Sequence, residues 1–520
     1  MKYFIKTYGC LMNHSDSERI AGVLELAGYK KTLQERDADL VVLNMCSVRE
    51  SAVNRISGNF NKYKKYKKYN PNFNTVITGC VLESDKDGFA KLFDLVIDIK
   101  EIEKLPERLK FLSNEKKLTA FKTPQPPLSG GTNSAPDKEE LIIPISQESL
   151  IADIGKISVD TKMILNQVQN DNTQIQNDKD TTNDYFSIAP QHESKITAFV
   201  PIMTGCNNFC SYCVVPYTRG REKSRTVLEI LSEIQNLIEN GYKEIILLGQ
   251  NVNSYKSEIK NQESDISIDN SLKSKSGSVN WIPASAGMTE EIDFPKLLQL
   301  INEIPGNFWI RFMTSHPKDV SEELIKAISE CEKCTEHIHL ALQSGDDQIL
   351  EIMNRKYTAE HFLSLVDQIR NRIPDISITT DIIVGFPSET EEQFQNTVTL
   401  MEKAKFDMAY INKYSPRTGT ISARMKDNVS WEEKKRRENI LTELLKKTAL
   451  ENNEKYVGKT IDMLIEKTDD DFTYGKSRSG KDVKVKLGIR NQKIGIKVGE
   501  FVRIKITKAK PWNLEGEIAE

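Results

Sequence analysis

Apolar residues in the first 112 positions fall in short runs, and each run is followed by a stretch with helical spacing. The runs cover residues 2–8, 39–44 and 75–78, a length typical of buried strands. Strands that alternate with helices predict a parallel sheet, because each parallel connection needs a crossover segment. We therefore expect an amino-terminal α/β domain with a parallel sheet over residues 1–112.

The same alternation occurs six times between residues 194 and 449. The helix after the first of these strands has the clearest pattern, since Val227, Ile230, Ile234 and Leu237 fall on one face. Six β/α units predict an open, partial (β/α)6 barrel whose site lies at the carboxyl ends of its strands. The predicted strands are residues 197–203, 244–252, 309–315, 337–344, 376–386 and 408–415.

Residues 450–520 have a different pattern, in which short strands are predicted at 460–467, 471–476, 482–487 and 500–510. Such a succession predicts a small closed β-barrel. The fold class is therefore α/β: an amino-terminal parallel-sheet domain, a central partial barrel and a carboxyl-terminal small β-barrel. Residues 476–510 include twelve basic and two acidic residues, a local net charge of +10. We expect this surface to bind phosphates, the alternative being a barrel that is merely basic.

Two stretches, residues 113–193 and 256–292, have no sustained period. In residues 166–180 of the first stretch only Val168 and Ile175 are apolar. Such a composition cannot bury enough surface to offset the entropy lost on ordering. We predict two disordered inserts; the alternatives are an interaction tail for the first and a lid over the site for the second.

The overall composition excludes some classes of protein. The chain has 72 Lys and Arg against 75 Asp and Glu, so its net charge predicts no partner. Its apolar runs are far shorter than the ~20 residues of a membrane span. Eight cysteines without a signal-peptide pattern indicate a reducing compartment, where thiols bind metals. We expect a cytoplasmic monomer with no membrane partner.

Three cysteines stand close together after the first barrel strand: Cys206, Cys210 and Cys213. Thiolates are the usual ligands of iron–sulfur clusters, and three of them leave one iron of a cubane open. A zinc knuckle is the alternative, but zinc needs a fourth ligand and no His or Cys follows within about a hundred residues. The spacing therefore predicts an iron–sulfur cluster.

Three further cysteines, Cys10, Cys46 and Cys80, follow the three predicted strands of the amino-terminal domain. The carboxyl ends of parallel strands lie at one edge of a sheet, so these thiols should converge. The alternative is three separate buried cysteines. We predict a second three-thiol site with an open iron.

Two other features have plainer interpretations. Cys331 and Cys334 form a CxxC with no second pair, and we expect buried or incidental thiols there. Residues 61–69 interleave Lys and Tyr, which indicates a solvated helix face or, alternatively, a nucleic-acid contact.

The CxxxCxxC spacing, with Tyr212 before the last cysteine, resembles the radical S-adenosylmethionine (SAM) superfamily. The resemblance implies that the open iron binds SAM and that an electron from the cluster cleaves SAM to a 5′-deoxyadenosyl radical. Polar residues at the other strand ends then line the place where SAM and substrate meet. The implied SAM contacts are Tyr212, Gln250, Asn251, Ser344 and Asp381.

The neighbourhoods of the cysteines resemble the methylthiotransferases, and within them the tRNA-2-methylthio-N6-dimethylallyladenosine synthases. The matching stretches are residues 8–13, 16–18, 43–50, 78–80, 215–222, 249–253, 353–355, 381–387 and 414–417. The carboxyl-terminal segment resembles a TRAM domain, the RNA-binding barrel of those enzymes.

The resemblance implies methylthiolation at carbon 2 of N6-isopentenyladenosine, at position 37 of tRNA. Cys206, Cys210 and Cys213 would hold the [4Fe–4S] cluster that cleaves SAM, and Cys10, Cys46 and Cys80 an auxiliary [4Fe–4S] cluster that carries the sulfur; all six are catalytic through their clusters. SAM would serve both as methyl donor and as radical source. The implied partners are the tRNA anticodon loop, an electron donor such as flavodoxin or ferredoxin, and a sulfur and cluster supply system.

Three alternatives stay open from the sequence. Two are sister methylthiotransferases, which act on threonylcarbamoyladenosine of tRNA or on a ribosomal-protein aspartate. The third is a non-catalytic RNA-binding protein with structural clusters, although such clusters would be expected to have four protein ligands.

Overall fold

The computed structural model describes residues 1–46, 50–120, 182–259, 290–487 and 496–519. Most of the two predicted inserts lies outside these residues. None of the helices in the described ranges combines the length and apolar character needed to cross a membrane.

The amino-terminal domain is a five-stranded parallel sheet with helices packed on it, as the alternating pattern predicts. The strand order is β2-β1-β3-β4-β5, and the two short strands β2 and β5 extend the three predicted ones. The strands are β1 Lys2–Tyr8, β2 Lys30–Lys31, β3 Leu40–Cys46, β4 Asn74–Cys80 and β5 Leu95–Val96. The helices are α1 Leu11–Leu26, α2 Glu50–Tyr69, α3 Glu83–Ala90 and α4 Leu105–Ala120.

Helix α1 begins earlier than the sequence pattern indicates. Residues 15–18 match a capping box, yet the helix starts at Leu11 with Cys10 as its N-cap. The side chain of Asn13 accepts from the Cys10 amide at 3.2 Å and caps the first turn. These four polar residues are instead buried within the helix: Asp16, Ser17 and Glu18 bond to other parts of the chain, and Ser15 accepts from Arg19 of the same helix.

The margins of the first predicted insert are ordered. Helix α4 continues to Ala120, and a further helix, α5 Thr182–Ser187, precedes the barrel. Tyr185 of α5 is 4% exposed and belongs to the same apolar cluster as α1. The expectation of disorder therefore does not hold for residues 182–193, whereas residues 121–181 lie outside the described part of the chain.

The central domain contains all six predicted strands in sequential order. Two parallel three-stranded sheets are joined by bridges between Ile310 and Cys334 and between Ser315 and Leu340, which gives an open barrel. Its strands are β6 Thr197–Pro201, β9 Glu244–Leu248, β12 Trp309–Phe312, β13 His337–His339, β14 Ser377–Val384 and β15 Met408–Lys413. Its helices are α6 Val215–Arg219, α7 Val227–Glu239, α8 Phe294–Glu303, α9 Glu322–Glu330, α10 Asp347–Ile352, α11 Ala359–Arg372 and α12 Glu391–Ala404.

Two antiparallel pairs decorate this barrel. The strands β7 Met203–Thr204 and β8 Lys223–Ser224 flank the cysteine loop, and β10 Lys256–Ile259 pairs with β11 Glu290–Asp293. The second pair occupies both margins of the predicted insert at 256–292, so those margins are strands rather than disordered chain. Residues 260–289 lie outside the described ranges.

The two faces of the β6–β9–β12 sheet bury different partners. Ala198, Val200 and Leu247 pack against the barrel helices. Phe199 and Ile246, on the opposite face, belong to the cluster that contains α1 and α5. The amino-terminal domain is therefore packed directly on one face of the barrel sheet.

The helix α13 Trp431–Glu454 leads to a closed five-stranded barrel with strand order β16-β17-β18-β20-β19. The strand at Leu514–Ile518, the last one along the chain, was not among those predicted. The strands are β16 Thr460–Thr468, β17 Phe472–Ser477, β18 Asp482–Lys486, β19 Phe501–Ala509 and β20 Leu514–Ile518.

This small barrel docks at the amino ends of the central strands. The rings of Trp309 and Phe501 lie 4.8 Å apart, and Arg478 donates to the carbonyl of Cys334 at 2.6 Å. Lys481 forms an ion pair with Asp407. Because the cysteine loop follows the carboxyl end of β6, the small barrel and the cysteines lie at opposite ends of the central barrel.

Candidate metal centres

Six of the eight cysteines form two sets of three. We call Cys206, Cys210 and Cys213 the loop site, because they lie in the loop after β7. We call Cys10, Cys46 and Cys80 the strand site, because they lie at or just after the ends of β1, β3 and β4.

The loop site begins with a glycine that no other residue can replace without strain. Gly205 has a φ of +78°, and a Cβ there would lie 1.9 Å from the carbonyl oxygen of Arg221. This close approach lets the Cys206 amide donate to the carbonyl of Gly220 at 3.1 Å. The cysteine loop is thereby pinned to the chain that leaves it.

The turn after α10 holds the loop from the other side. The side-chain nitrogen Nδ2 of Asn354 donates to the carbonyls of Asn208 at 3.2 Å and Phe209 at 2.9 Å. The Ser211 amide donates to the carbonyl of Met353 at 3.0 Å. These bonds stabilise Phe209 in a left-handed conformation, with φ at +46°, which a bulky side chain rarely adopts.

The loop thiols are close enough to interact electrostatically. Burial raises the pKa of Cys206 to about 12. Burial, followed by the charges of Cys210 and Cys206, also raises the pKa of Cys213. The thiolate is the form that binds metal, so these sulfurs need a nearby positive charge to ionise.

One arginine contacts the loop site. Arg355 Nη1 donates to Cys210 Sγ at 3.4 Å. Its other nitrogens are fixed, because Nε donates to Tyr357 Oη at 3.0 Å and Nη2 to the carbonyl of Ala341 at 2.7 Å. The guanidinium is therefore held against the sulfur by two further bonds.

The strand site is assembled by sheet register. Cys46 and Cys80 are directly paired in the parallel ladder between β3 and β4. A hydrogen bond from Cys46, aided by the charge of Arg219, lowers the pKa of Cys80 to about 6. Cys10 is the most exposed of the three residues, yet desolvation of its sulfur, together with the charge of Cys80, raises its pKa. The three thiols therefore lie near one another, with Cys80 next to both of the others.

Two buried asparagines connect the ends of these strands. Asn13 Nδ2 donates to Asn44 Oδ1 at 3.2 Å, and Asn44 Nδ2 donates to the Asn13 carbonyl at 2.7 Å. The same Asn13 side chain caps Cys10. The start of α1 is thus fixed to β3 beside the thiols.

Arg219 joins the two domains at the strand site. Its Nε donates to Cys80 Sγ at 3.1 Å, and its Nη2 donates to Asp16 Oδ2 at 2.5 Å. Tyr185 Oη donates to the other oxygen of Asp16 at 2.5 Å. Arg219 is 4% exposed and lies at the end of α6, the helix that follows the loop-site cysteines.

The residues predicted to contact SAM differ in how far protein bonds already occupy them. Asn251 bonds to Asp319 and to the His316 amide, and Ser344 bonds to the Asp346 amide. Asp381 is 32% exposed and bonds to His339 Nε2 at 3.0 Å. Within the described ranges the buried Gln250 Oε1 has no hydrogen-bond partner.

Two other residues at this end of the barrel, Asn253 and Tyr212, also bear on where SAM would bind. Both side-chain polar atoms of Asn253 are buried without a partner among the described residues, although Asn253 was not a predicted contact. Tyr212 packs against Phe386 and Tyr414 in a small apolar cluster. Burial and the charge of Cys210 raise its pKa, so its hydroxyl stays protonated.

The described residues do not include a site for a single metal ion. No group of three His, Cys, Asp or Glu side chains in the described part of the chain converges tightly enough to hold one ion. In a cubane each thiolate would bind its own iron, so the three sulfurs would not need to meet at one ion. Cys331 and Cys334 are free thiols, buried in the barrel core and hydrogen-bonded to each other, as expected for structural cysteines.

Sequence reasoning assigned no role to the polar residues around the thiols, which are Asp16, Tyr185, Arg219 and Arg355, although all but Tyr185 lie in the matching stretches. Each makes its contact across a long sequence separation, so spacing gave no direct signal. A usable signal exists for Arg219, which lies six residues after Cys213 and directly before Gly220. A charged side chain so close to a predicted cluster has to be paired.

The Lys and Tyr residues at 61–69 are partly used within the domain. Tyr63 is buried and bonds to Glu35, Lys62 pairs with Glu35, and Lys67 pairs with Asp94 at 2.8 Å. The nucleic-acid interpretation of this helix is correspondingly weaker.

Three known family models match the chain. The Radical SAM superfamily matches residues 200–401, the Uncharacterized protein family UPF0004 matches residues 2–99, and the TRAM domain matches residues 454–519.

Curated relatives match along the whole length. The chain is 38% identical over 526 residues to the tRNA-2-methylthio-N(6)-dimethylallyladenosine synthase of Clostridium novyi (strain NT), which covers 99% of this chain and 96% of that protein. It is 38% identical over 527 residues to the enzyme of that name from Thermoanaerobacter pseudethanolicus (strain ATCC 33223 / 39E), with 100% and 93% covered.

A solved structure is more distant. The radical S-adenosylmethionine methyltransferase TsrM from Kitasatospora setae, with cobalamin and a [4Fe-4S] cluster bound, gives a TM-score of 0.44 at 13% identity, with 81% of this chain and 77% of that chain covered.

Proposed function

The chain belongs to the family of the tRNA-2-methylthio-N(6)-dimethylallyladenosine synthases, and we propose that its loop site and strand site each hold one [4Fe–4S] cluster for the reaction of that family. The protein is a tRNA methylthiotransferase of the radical SAM superfamily, with SAM and a [4Fe–4S] cluster as cofactors. Its reaction is methylthiolation of carbon 2 of N6-isopentenyladenosine in tRNA. The observation that carries the two-cluster proposal is the gathering of six cysteines into two sets of three.

Each set of thiols fits a cluster with one open iron. Three thiolates occupy three irons and leave the fourth for a ligand that the protein does not provide. Bound iron would supply the positive charge that the buried thiols Cys206 and Cys213 need in order to ionise. An arginine donates to one sulfur at each site, Arg355 to Cys210 and Arg219 to Cys80, and hydrogen bonds to sulfur are a common means of adjusting clusters.

We assign the two sites different roles. Cys206, Cys210 and Cys213 hold the cluster that binds SAM, and Cys10, Cys46 and Cys80 hold the auxiliary cluster. When bound, these groups supply the radical chemistry and the sulfur that an unactivated aromatic C–H bond requires. The protein's own residues bind and orient them: Asn354 holds the loop, and Asn13 holds the start of α1 against β3.

The predicted SAM contacts divide into direct and indirect ones. Gln250 and Asp381 are the candidates for direct contact, because Gln250 Oε1 has no partner among the described residues and Asp381 is partly exposed. Asn251 and Ser344 act by fixing the strand ends around the site, since their polar atoms already bond to protein. Tyr212 provides an apolar wall beside Cys213.

The TRAM barrel is the proposed binding surface for the tRNA backbone. Arg503, Lys505 and Lys508 are exposed on β19. Several other basic residues of the region form ion pairs within the protein, including Arg478 with Glu336 and Lys481 with Asp407. The phosphate-binding surface is therefore smaller than the local charge of +10 indicates.

The reaction consumes electrons and sulfur, so further partners are required. We propose a small one-electron carrier, such as flavodoxin or ferredoxin, and a sulfur and cluster supply system. We also propose that the enzyme acts as a monomer in the cytoplasm, where tRNA is found. We propose that residues 1–112 form the domain of the auxiliary cluster, residues 194–449 the radical SAM domain and residues 450–520 the RNA-binding domain.

The function is tested by mass spectrometry of tRNA nucleosides from a strain that lacks this chain, with and without the chain restored. We expect 2-methylthio-N6-isopentenyladenosine to disappear and return, with the unmethylthiolated precursor accumulating in between. Restoration with the Cys210→Ala variant should leave the precursor in place. If the nucleoside is unchanged in the deleted strain, the substrate assignment is wrong.

A further inference from the structure

Arg219 connects the loop site of one domain to a thiol of the other. It belongs to α6, which begins two residues after Cys213, but its guanidinium contacts Asp16 and Cys80 of the amino-terminal domain. Its Nε is 3.1 Å from Cys80 Sγ, whereas Nη1 and Nη2 are 3.5 and 2.5 Å from the two oxygens of Asp16. The arginine thus makes a two-pronged ion pair with Asp16 and has one donor left for sulfur.

The surroundings of Asp16 hold this arrangement in place. Tyr185 Oη donates to Asp16 Oδ1, and the guanidinium of Arg19 lies 5.3 Å from the Tyr185 ring centre. Arg19 in turn donates to Ser15 at 3.0 Å. Asp16, Arg19 and Arg219 are all at most 4% exposed, so solvent does not loosen these bonds.

A positive charge and an N–H donor beside a ligand sulfur have a known direction of effect. They stabilise the more negative, reduced form of a cluster relative to the oxidised form and so raise its reduction potential. A negative carboxylate nearby acts in the opposite direction. Asp16 and Arg219 are therefore expected to influence the strand-site cluster with opposite signs.

We propose that Arg219 is a positioning residue that sets the reduction potential of the strand-site cluster through Cys80 and fixes that cluster relative to the loop site. This inference rests on the proposed function, because it requires a cluster at Cys10, Cys46 and Cys80. Lysine replaces the charge of Arg219 but only part of its effect, since one ammonium does not reproduce the bidentate contact with Asp16 and the separate Nε donor.

The experiment isolates one cluster. In the full chain, Cys206, Cys210 and Cys213 are all replaced by Ala, which leaves only the strand site to bind iron. The protein is purified anaerobically, its iron and sulfide are quantified, and the midpoint potential of the remaining cluster is measured by redox titration followed by electron paramagnetic resonance. Arg219→Gln, Arg219→Lys and Asp16→Asn are then compared in this background.

We expect Arg219→Gln to shift the potential to a more negative value and Asp16→Asn to shift it to a more positive value. Arg219→Lys should lie between the parent and Arg219→Gln. The matched control is Arg311→Gln, because Arg311 forms a similarly buried ion pair with Glu244 at 2.8 Å but donates to the Ser477 carbonyl of the small barrel, which lies at the end of the central barrel opposite the cysteines. It should leave the potential unchanged.

The outcomes separate this inference from the proposed function. If the background protein binds no cluster, the two-cluster proposal is wrong and the inference is withdrawn with it. If a cluster is bound but Arg219→Gln does not move its potential, the inference alone is wrong. The inference is also wrong if Arg219→Gln and Asp16→Asn shift the potential in the same direction, because general structural damage would do that. Should Arg219→Gln fail to fold, the sign of the Asp16→Asn shift decides.

Discussion

The two cysteine sites solve the same chemical problem by different structural means. The loop site is formed by eight consecutive residues, and it needs a left-handed glycine, a left-handed phenylalanine and an asparagine from a distant turn to hold its shape. The strand site is formed by three strand ends far apart in the chain, and the register of one parallel sheet brings them together. A contiguous motif thus carries backbone strain, whereas a dispersed one depends on the whole domain.

The charges around the thiols also differ between the sites. At the loop site burial dominates and raises the pKa of Cys206 to about 12. At the strand site the Cys46 hydrogen bond and the charge of Arg219 lower the pKa of Cys80 to about 6. The arginine of the loop site comes from the same domain, but the arginine of the strand site comes from the other. The strand site is therefore the one whose integrity depends on the interface.

Removing one cysteine from each site should give the largest and most informative effect. We expect Cys210→Ala to abolish both SAM cleavage and tRNA methylthiolation, because the loop-site cluster binds SAM. Cys46→Ala should abolish methylthiolation while SAM is still cleaved to 5′-deoxyadenosine. Chromatography of the deoxyadenosine and mass spectrometry of the nucleoside separate the two losses. Retention of methylthiolation in Cys46→Ala would contradict the role given to the strand site.

A backbone substitution should damage one site selectively. In Gly205→Ala the new Cβ would lie 1.9 Å from the Arg221 carbonyl, and the left-handed conformation adds about 1–3 kcal/mol of strain. We expect loss of the loop-site iron, roughly half of the total, while the strand site stays loaded. Gly419→Ala is the matched control, because φ is +88° there but no atom lies within 4 Å of the new Cβ. Equal iron loss in both variants would show that the strain alone, and not the close approach, matters.

Replacing the asparagine that supports each site should have a moderate effect on iron occupancy at that site alone. Asn13→Ala removes bonds to Cys10 and Asn44, and Asn354→Ala removes bonds to the carbonyls of Asn208 and Phe209. Each change leaves buried polar groups without partners and should cost about 1–3 kcal/mol. We expect Asn13→Ala to lower iron occupancy at the strand site and Asn354→Ala at the loop site, measured in backgrounds that retain only one site. The exposed Asn72→Ala should affect neither.

The smallest expected effect is a pH dependence of the free energy of unfolding, caused by His316 near Arg355. Burial, followed by the charge of Arg355, lowers the pKa of His316 to about 2. His316 is therefore neutral in the folded chain, whereas the unfolded chain binds a proton to it below its ordinary pKa of about 6.5. Stability is full above pH 6.5 and is lost as the pH falls, by up to about 1.4 kcal/mol per pH unit from this group.

Thermal unfolding between pH 7.5 and 5.5 measures this contribution. The melting temperature should fall less steeply with pH in His316→Gln than in the parent. Some slope should remain, because burial also lowers the pKa of His337. The exposed His361→Gln is the control and should keep the parent slope. A parent slope in His316→Gln would exclude His316 as a titrating group.

The sequence pattern accounts for the strands and for the thiols at their ends. All six strands of the central barrel and the three main strands of the amino-terminal sheet were predicted, because buried strands in parallel sheets are short apolar runs. Convergence of Cys10, Cys46 and Cys80 followed from the shared direction of parallel strands. The Cys206 loop was recognisable from its spacing alone.

The sequence pattern could not predict the interface between the amino-terminal domain and the central barrel. Asp16 and Arg219 are 203 positions apart, and Tyr185 lies in a stretch whose polar composition predicts disorder. Buried polar residues look like surface residues in a sequence, so the buried face of α1, with Ser15, Asp16, Ser17 and Glu18, resembled a helix start. The last strand, β20, was missed because it contains Gly516 and acidic residues amid few apolar ones.

The most direct test of the account is the iron and sulfide content of the anaerobically reconstituted full chain and of two triple variants. One variant replaces Cys206, Cys210 and Cys213 with Ala, and the other replaces Cys10, Cys46 and Cys80. With two [4Fe–4S] clusters we predict about eight irons for the parent chain and about four for each variant. A parent chain with about four irons, or a variant that keeps the full iron content, would contradict the assignment of one cluster to each site.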